Sequence, residues 1–282
     1  MSFETASGKG VETENFPVAS FLLKKDLRKD ILSYYHFARE ADDIADHEQL
    51  SADEKIRQLD YFAEPFNSDE ARHKKEWPIH SIELRKIFCD RHISKNHALD
   101  LLVAFKQDAY KLRYENWEEL IDYCNHSAAP VGRFLLDLHQ ESKESYIYAD
   151  ALCNALQIIN HLQDCAEDYQ HLNRVYLPLS FMKDNKCDVE ILSAPQSSSA
   201  LRQILNLCLE RIDQELMPKA RLLPFNLKNK GIALQSAIVV EIAEQLINKL
   251  KIKDPLKKKV KLSKIAYLKA FLYGIIKYYI NK

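Results

Sequence analysis

Glycine and proline are scarce in this chain: 282 residues contain five of the first and nine of the second. Residues 18–64, 79–129 and 133–177 hold neither, and uninterrupted stretches of that length favour helices. Cysteine is present without pattern. The six residues Cys89, Cys124, Cys153, Cys165, Cys187 and Cys208 include no C-x-x-C pair, which excludes a disulfide scaffold and a cysteine zinc site and suits reduced thiols. Long apolar runs are missing too. Met1 to Val11 is polar, with no apolar stretch of signal-peptide type. The most apolar segment, Ile265 to Ile280, is interrupted by Lys269 and Lys277 and falls short of the roughly 20 residues that span a bilayer. There is no excess of one charge: 40 Lys+Arg stand against 41 Asp+Glu, a net −1, which argues against a dedicated nucleic-acid binder.

What is present is an ordinary soluble-domain composition, 46% hydrophobic and 29% charged, so disorder and fibrous structure are excluded. Apolar residues recur at intervals of three and four: Leu27, Ile31, Tyr34, Ala38, Ala41 and Ala45 form one stripe, and Leu99, Leu102, Val103 and Ala109 belong to another. Strand-type alternation is nearly absent. Breakers at Glu64–Pro65, Trp77–Pro78, Ala129–Pro130, Leu177–Pro178 and Ala194–Ser199 read as loops or kinks between helices, and no repeat or linker divides the chain. The expectation is one all-α domain over 1–282, with 1–13 flexible. The overall charge hides an asymmetry, because residues 249–282 carry eleven lysines and one aspartate.

Two segments place acids where a helix should bury its core face. In Tyr34-Tyr35-His36-Phe37-Ala38-Arg39-Glu40-Ala41-Asp42-Asp43-Ile44-Ala45-Asp46, residues Tyr35, Arg39, Asp42 and Asp46 fall within about 60° of one another on a helix. In Gln157-Ile158-Ile159-Asn160-His161-Leu162-Gln163-Asp164-Cys165-Ala166-Glu167-Asp168, residues Gln157, Asn160, Asp164 and Asp168 share about 80°. Two such faces meeting inside a bundle would be costly unless cations neutralised them. All-oxygen donors favour Mg²⁺, which commonly shares itself with substrate phosphates. Opposed aspartate pairs near Arg39 and Arg174 therefore suggest a diphosphate held through magnesium. The plain alternative is that the acids face solvent, and one D-x-x-x-D by itself would be read that way.

The Tyr-x-x-x-Arg-x-x-Asp-Asp-x-x-Asp helix, the Leu-Gln-Asp-x-x-Glu-Asp helix followed by Asn173-Arg174-Val175-Tyr176-Leu177-Pro178, and the intervening Tyr123-Cys124-Asn125-His126-Ser127-Ala128-Ala129-Pro130-Val131-Gly132-Arg133 resemble squalene/phytoene synthases, from about Glu14 to Tyr279. Three details are similar to a bacterial hopanoid-pathway branch of that family: Glu14-Asn15-Phe16-Pro17-Val18-Ala19-Ser20, the Ser-Ala-x-Pro-Val-Gly-Arg segment, and Gln163 where most relatives have arginine. The resemblance implies an isoprenoid-synthase helical bundle around a central apolar cavity. It implies that Asp42, Asp46, Asp164 and Asp168 bind Mg²⁺, with Asn160 one turn upstream of the second pair. It places Arg39 and Arg174 on the diphosphate, and Tyr35, Tyr123 and Tyr176 around the reaction chamber. Asn15 and Phe16 align with a flap over the diphosphate that reads Ser-Phe in relatives, which weakens a flap role here.

Ala128, Val131, Gly132, Leu156 and Gln157, with Leu101, Leu135 and Leu136, are candidate cavity residues, the small Ala128 and Gly132 leaving room for a long isoprenoid. The implied reaction is Mg²⁺-dependent conversion of presqualene diphosphate and water to hydroxysqualene and pyrophosphate, Gln163 and Asn160 holding the water that traps the final cation. Head-to-head condensation of two farnesyl diphosphates to presqualene diphosphate, squalene or dehydrosqualene is the rival within the family, and a non-catalytic assembly factor the rival outside it. No G-x-G-x-x-G is present for a nicotinamide, although reductive relatives bind one without it.

Other signals are discounted. His36, His126, His139, His161 and His171 read as surface or satisfied interior residues, and Glu70-Ala71-Arg72-His73 is one E-x-x-H where a di-iron bundle needs two. Tyr34-Tyr35 and Tyr278-Tyr279 read mainly as packing. The basic segment with the Ile265–Ile280 helix reads as a solvated lysine face beside a packed helix, or as a peripheral contact with anionic lipid. The expected partner is an isoprenoid diphosphate, the expected compartment the cytoplasm, and the oligomeric state stays open.

Overall fold

The stretches without glycine or proline become helices. A computed structural model of the chain describes residues 22–68 and 77–282. Among these residues lie α1 (Arg28–Ala45), α2 (Ala52–Asn67), α3 (Ile79–Arg91), α4 (Asn96–Tyr110), α5 (Trp117–Ser127), α6 (Ala129–Leu138), α7 (Tyr146–Leu172), α8 (Leu179–Asp184), α9 (Ser199–Arg211), α10 (Met217–Ala220), α11 (Lys230–Ile252) and α12 (Lys264–Ile280). No strand forms among them; Arg113 and Val175 make one isolated bridge. The all-α expectation therefore stands. Asn15, Phe16 and the Glu70–His73 motif lie outside the described residues.

Local chemistry explains the boundaries. Ser51, Asn116, Ser198, Asn229 and Ser263 each accept, through the side chain, a hydrogen bond from a first-turn N–H of the helix that follows, satisfying donors that the helix leaves unpaired. Pro78 and Pro178 stand immediately before α3 and α8, and Pro130 lies in the first turn of α6, where a missing N–H costs nothing. Pro65 does not end α2, which runs two residues further. At the end of α7, Asn173 adopts the left-handed conformation at φ 51°, a position asparagine tolerates. The turn sends Arg174 back across the bundle.

The 27-residue α7 is the spine, packed against α5, α6 and α11, while α1 packs on α2, α3 and α4. Tyr34, Phe37, Phe62, Phe66, Phe88 and Phe134 interlock between these layers, Tyr34 stacking on Phe134 at a centroid distance of 4.2 Å. Gly132 lets α6 approach α7: a Cβ there would stand 2.7 Å from Cys153 Sγ and 3.3 Å from Ala149 Cβ. Gly274 lets α12 lie on α11, where a Cβ would meet the Ile238 Cα at 2.7 Å. Helix packing, as much as room for a ligand, is thus why residue 132 is glycine. No helix among the described residues is long and apolar enough to cross a membrane.

Candidate active site

A cavity of about 450 Å³ opens between α1, α6, α7 and α11, within the ~300–1,000 Å³ of small-molecule sites. Its wall includes Ala128, Val131, Gly132, Leu135, Leu136, Leu156 and Gln157 as the sequence predicts, together with Tyr34, Phe134 and Val239. Leu101 is not on the wall; it is buried in the core. All four expected acids, Asp42, Asp46, Asp164 and Asp168, border this one cavity, as do Arg39, Arg174, Tyr35, Tyr123, Tyr176 and Asn160. Helices separated by more than a hundred residues thus bring two carboxylate pairs to the same opening.

Asp42, Asp46 and Asp164 each pair with a basic side chain. Arg39 sits on the acid face of α1, its Nη1 2.6 Å from Asp42 Oδ2 and its Nη2 3.0 Å from Asp43 Oδ1. Asp46 occupies the C-cap of α1, where the helix dipole disfavours a negative charge. Arg174 compensates: Nη1 lies 2.5 Å from Asp46 Oδ1, while Nη2 donates to the Ala45 carbonyl at 2.8 Å and Nε to the Asp108 carbonyl at 3.1 Å. Arg174 is 5% exposed, and this grip fastens α1 to the end of α7. On the facing pair, Lys259 Nζ lies 2.6 Å from Asp164 Oδ1 and 2.9 Å from Glu167 Oε2. Burial works against the Lys259 charge, but Asp164 and Glu167 outweigh it and hold its pKa above the ordinary value.

Beneath the acids is a buried polar knot. Tyr123 and Tyr176 both donate their hydroxyls to Asp108, at 2.7 and 2.9 Å, so their aromatic rings, stripped of free hydroxyls, are what the chamber meets. Burial pushes the Asp108 carboxyl up to about 6, against the pull of Arg174 and Tyr123. Burial also raises both phenols well above their ordinary value, keeping them protonated donors. His161 stacks on Tyr176 at 3.6 Å between centroids, and its Nδ1 is 3.9 Å from Asp168 Oδ2, an ion-pair distance too long for a hydrogen bond.

Several placements depart from the sequence reading. Gln163, expected beside a trapping water, is buried off the cavity wall and donates from Nε2 to the Val260 carbonyl. On α7 it points about 100° around the helix from Asp164, toward the strap between α11 and α12. His161, read with the other histidines as a surface or satisfied interior residue, is buried and also borders the cavity; the same wheel places it about 20° from Asp168. Lys259 and Lys261, read as part of a solvated or lipid-facing tail, border the cavity. Asp108 carries no sequence signal, and only the fold brings it to Tyr123 and Tyr176.

The donor set suits a hard divalent cation. Burial raises the pKa of Asp168 against the opposing pull of His161, and Asp164 and Asp46 add a smaller like-charge repulsion in the same direction as burial; a cation would relieve both. Among the described residues no three His, Cys, Asp or Glu side chains are gathered tightly enough to hold a metal by themselves, so the remaining ligands would be oxygens of water or substrate.

The chain belongs to the squalene/phytoene synthase family, whose sequence profile matches residues 11–266. It is an isoprenoid synthase of that kind. Among its relatives, the hydroxysqualene synthase of Rhodopseudomonas palustris is 42% identical over 265 residues, covering 94% of this chain and 89% of that one. The hydroxysqualene synthase of Sinorhizobium fredii is 40% identical over 263 residues, 93% and 87% of the two chains. The crystal structure of squalene synthase HpnC from Alicyclobacillus acidocaldarius superposes with a TM-score of 0.70 at 26% identity, over 82% of this chain and 85% of the other.

Proposed function

We propose that the chain converts presqualene diphosphate and water to hydroxysqualene and pyrophosphate with Mg²⁺. The observation that carries the reading is the convergence of Asp42, Asp46, Asp164 and Asp168 on one mouth of a mainly apolar cavity, joined to full-length similarity with hydroxysqualene synthases. The four aspartates would hold the metal, which when bound neutralises charge growing on the departing diphosphate. Arg39 is placed to leave its intrahelical partners for phosphate oxygens. Arg174 is committed to Asp46 and the end of α1, and acts by fixing that carboxylate and adding positive potential at the mouth.

As the C–O bond breaks, its electron pair leaves with the diphosphate and a carbocation remains in the chamber. The ring of Tyr123, its hydroxyl turned to Asp108, is the aromatic surface placed to stabilise passing positive charge, by ~0.5–2 kcal/mol. The Tyr176 ring is covered by His161 and Tyr114 and serves to hold Asp108 and the wall in place. The aliphatic wall excludes bulk water and postpones premature capture. Asn160, on the cavity side of α7, is the residue we assign to hold the one water that finally forms the C–O bond and then loses a proton.

The test is product analysis from presqualene diphosphate and from farnesyl diphosphate, each with and without Mg²⁺ and NADPH. Hydroxysqualene from presqualene diphosphate, needing Mg²⁺ alone, supports the reading, and Asp164→Asn should lower that rate at least ~100-fold. Squalene or dehydrosqualene as the main product would move the chain to the condensing branch; turnover of neither substrate would favour a scaffold.

A further inference from the structure

We propose that the outward face of α12, together with the lysines leading into it, docks on an anionic lipid bilayer and rests there parallel to the surface. α12 is apolar on both sides. One side, through Ala270, Gly274 and Tyr278, is buried, and Gly274 seats it on α11. The other carries Ile265, Leu268, Leu272, Ile276, Tyr279 and Ile280, each between 49% and 76% exposed. These six lie within about 120° of one another and about 180° from the buried three. A helix that had only to cover α11 would be polar outside.

The charge around this stripe selects the occupant. Residues 255–282 contain eight lysines and no acid. Lys259 is tied to Asp164 and Glu167, and Lys277 to Glu241 and Glu244, whereas Lys257, Lys258, Lys264 and Lys269 are exposed. A second copy pairing through the same face would bring like charges together with no carboxylate on the face to offset them. An anionic lipid surface supplies the opposite sign and an apolar layer at the depth the side chains reach. Lys269, within the stripe, can lay its stem along the apolar surface and raise its ammonium to the headgroups. Crossing the bilayer is not available to a helix of 17 residues with lysines inside it.

Position gives the docking a use. The strap from Lys253 to Ser263 carries Lys259 and Lys261 on the cavity rim and is held by the Gln163 contact to Val260. A bilayer under α12 would therefore touch the chain next to a strap that reaches the cavity lining, a position suited to handing over a long apolar substrate and a water-insoluble product. This benefit rests on the reaction proposed above; the surface itself does not.

The test is sedimentation of the whole chain with mixed phosphatidylglycerol–phosphatidylcholine vesicles and with pure phosphatidylcholine vesicles. The chain should pellet with the first, should bind the second far more weakly, and should be released by salt. Leu272→Glu/Ile276→Glu and Lys257→Glu/Lys258→Glu/Lys264→Glu should each weaken binding at least ~10-fold. Both variants should keep wild-type circular dichroism, melting temperature and detergent-solution activity, which separates lost docking from lost folding. A wild-type chain that stays in the supernatant with anionic vesicles overturns the proposal, as do variants that bind like wild type. So does a lipid-free dimer that Leu272→Glu/Ile276→Glu dissociates. Vesicle binding without turnover of presqualene diphosphate would count against the reaction and leave the docking surface standing.

Discussion

Asp108 shows how one buried group sets a pH dependence for the whole site. Its carboxyl, 4% exposed, binds a proton more tightly folded, with a value of about 6, than unfolded at ~3.9. For an acid raised on folding, ionisation disfavours the native state, so stability falls as pH rises from about 4 through 6. The gap amounts to ~3 kcal/mol by pH 7. Asp108→Asn cannot ionise and escapes that penalty while keeping an acceptor for one tyrosine. Urea unfolding of both proteins from pH 4 to 7 should show the stability difference moving toward the variant by up to ~3 kcal/mol. A constant difference would mean that Asp108 titrates near its ordinary value. Tyr123 and Tyr176 were legible as chamber residues from their motifs. Their acceptor was not, because a lone aspartate in Phe105-Lys106-Gln107-Asp108 looks like any helical surface acid until α5 and the turn after α7 close over it.

Helix against helix, two glycines serve the same purpose with different tolerance. Alanine is favoured over glycine inside a helix by ~1 kcal/mol, so the outcome turns on what the added methyl meets. At Gly132 it meets chiefly the Sγ of Cys153 at 2.7 Å, the free end of a side chain. At Gly274 it meets backbone: Ile238 Cα at 2.7 Å, Ala237 O and Ile238 N at 2.9 Å. Overpacking costs ~1–3 kcal/mol, with the upper part expected where backbone must move. Chemical denaturation should therefore find Gly132→Ala within ~1 kcal/mol of wild type and improved by adding Cys153→Ala, and Gly274→Ala less stable by ~2 kcal/mol. Equal costs would refute the distinction. At this scale the sequence was informative about helix bodies and breakers, less so about ends. Asp46 reads as a mid-face residue yet caps α1, because the dipole penalty there is met by an arginine 128 positions away.

For the molecule as a whole, the proposed site is a set of carboxylates paired with Arg39, Arg174 and Lys259, to which the reaction would add Mg²⁺ and a diphosphate. Mg²⁺ with inorganic pyrophosphate should bind only the folded chain. At a hundredfold excess over Kd this adds ~2.7 kcal/mol, or roughly 5 °C at ~2 °C per kcal/mol for a chain of this size. Differential scanning fluorimetry should show that shift for wild type and lose it for Asp42→Asn/Asp164→Asn. An unshifted wild-type melt would remove the diphosphate site, whatever the fate of the lipid surface on α12.

The acid faces, the spacing of the aspartates and the all-α architecture were written in the chain's order of residues, because helical period and backbone breakers act over a few positions and a wheel can display them. The same wheel held His161 beside Asp168 and turned Gln163 away, although the family pattern drew attention to Gln163. What no local period contains is which faces meet. The union of Asp46 with Arg174, the loan of Lys259 to Asp164, the Asp108 knot and the uncovered side of α12 arise from contacts between segments far apart in the chain. Those contacts are set by how the helices fill space together, and only the folded molecule displays them.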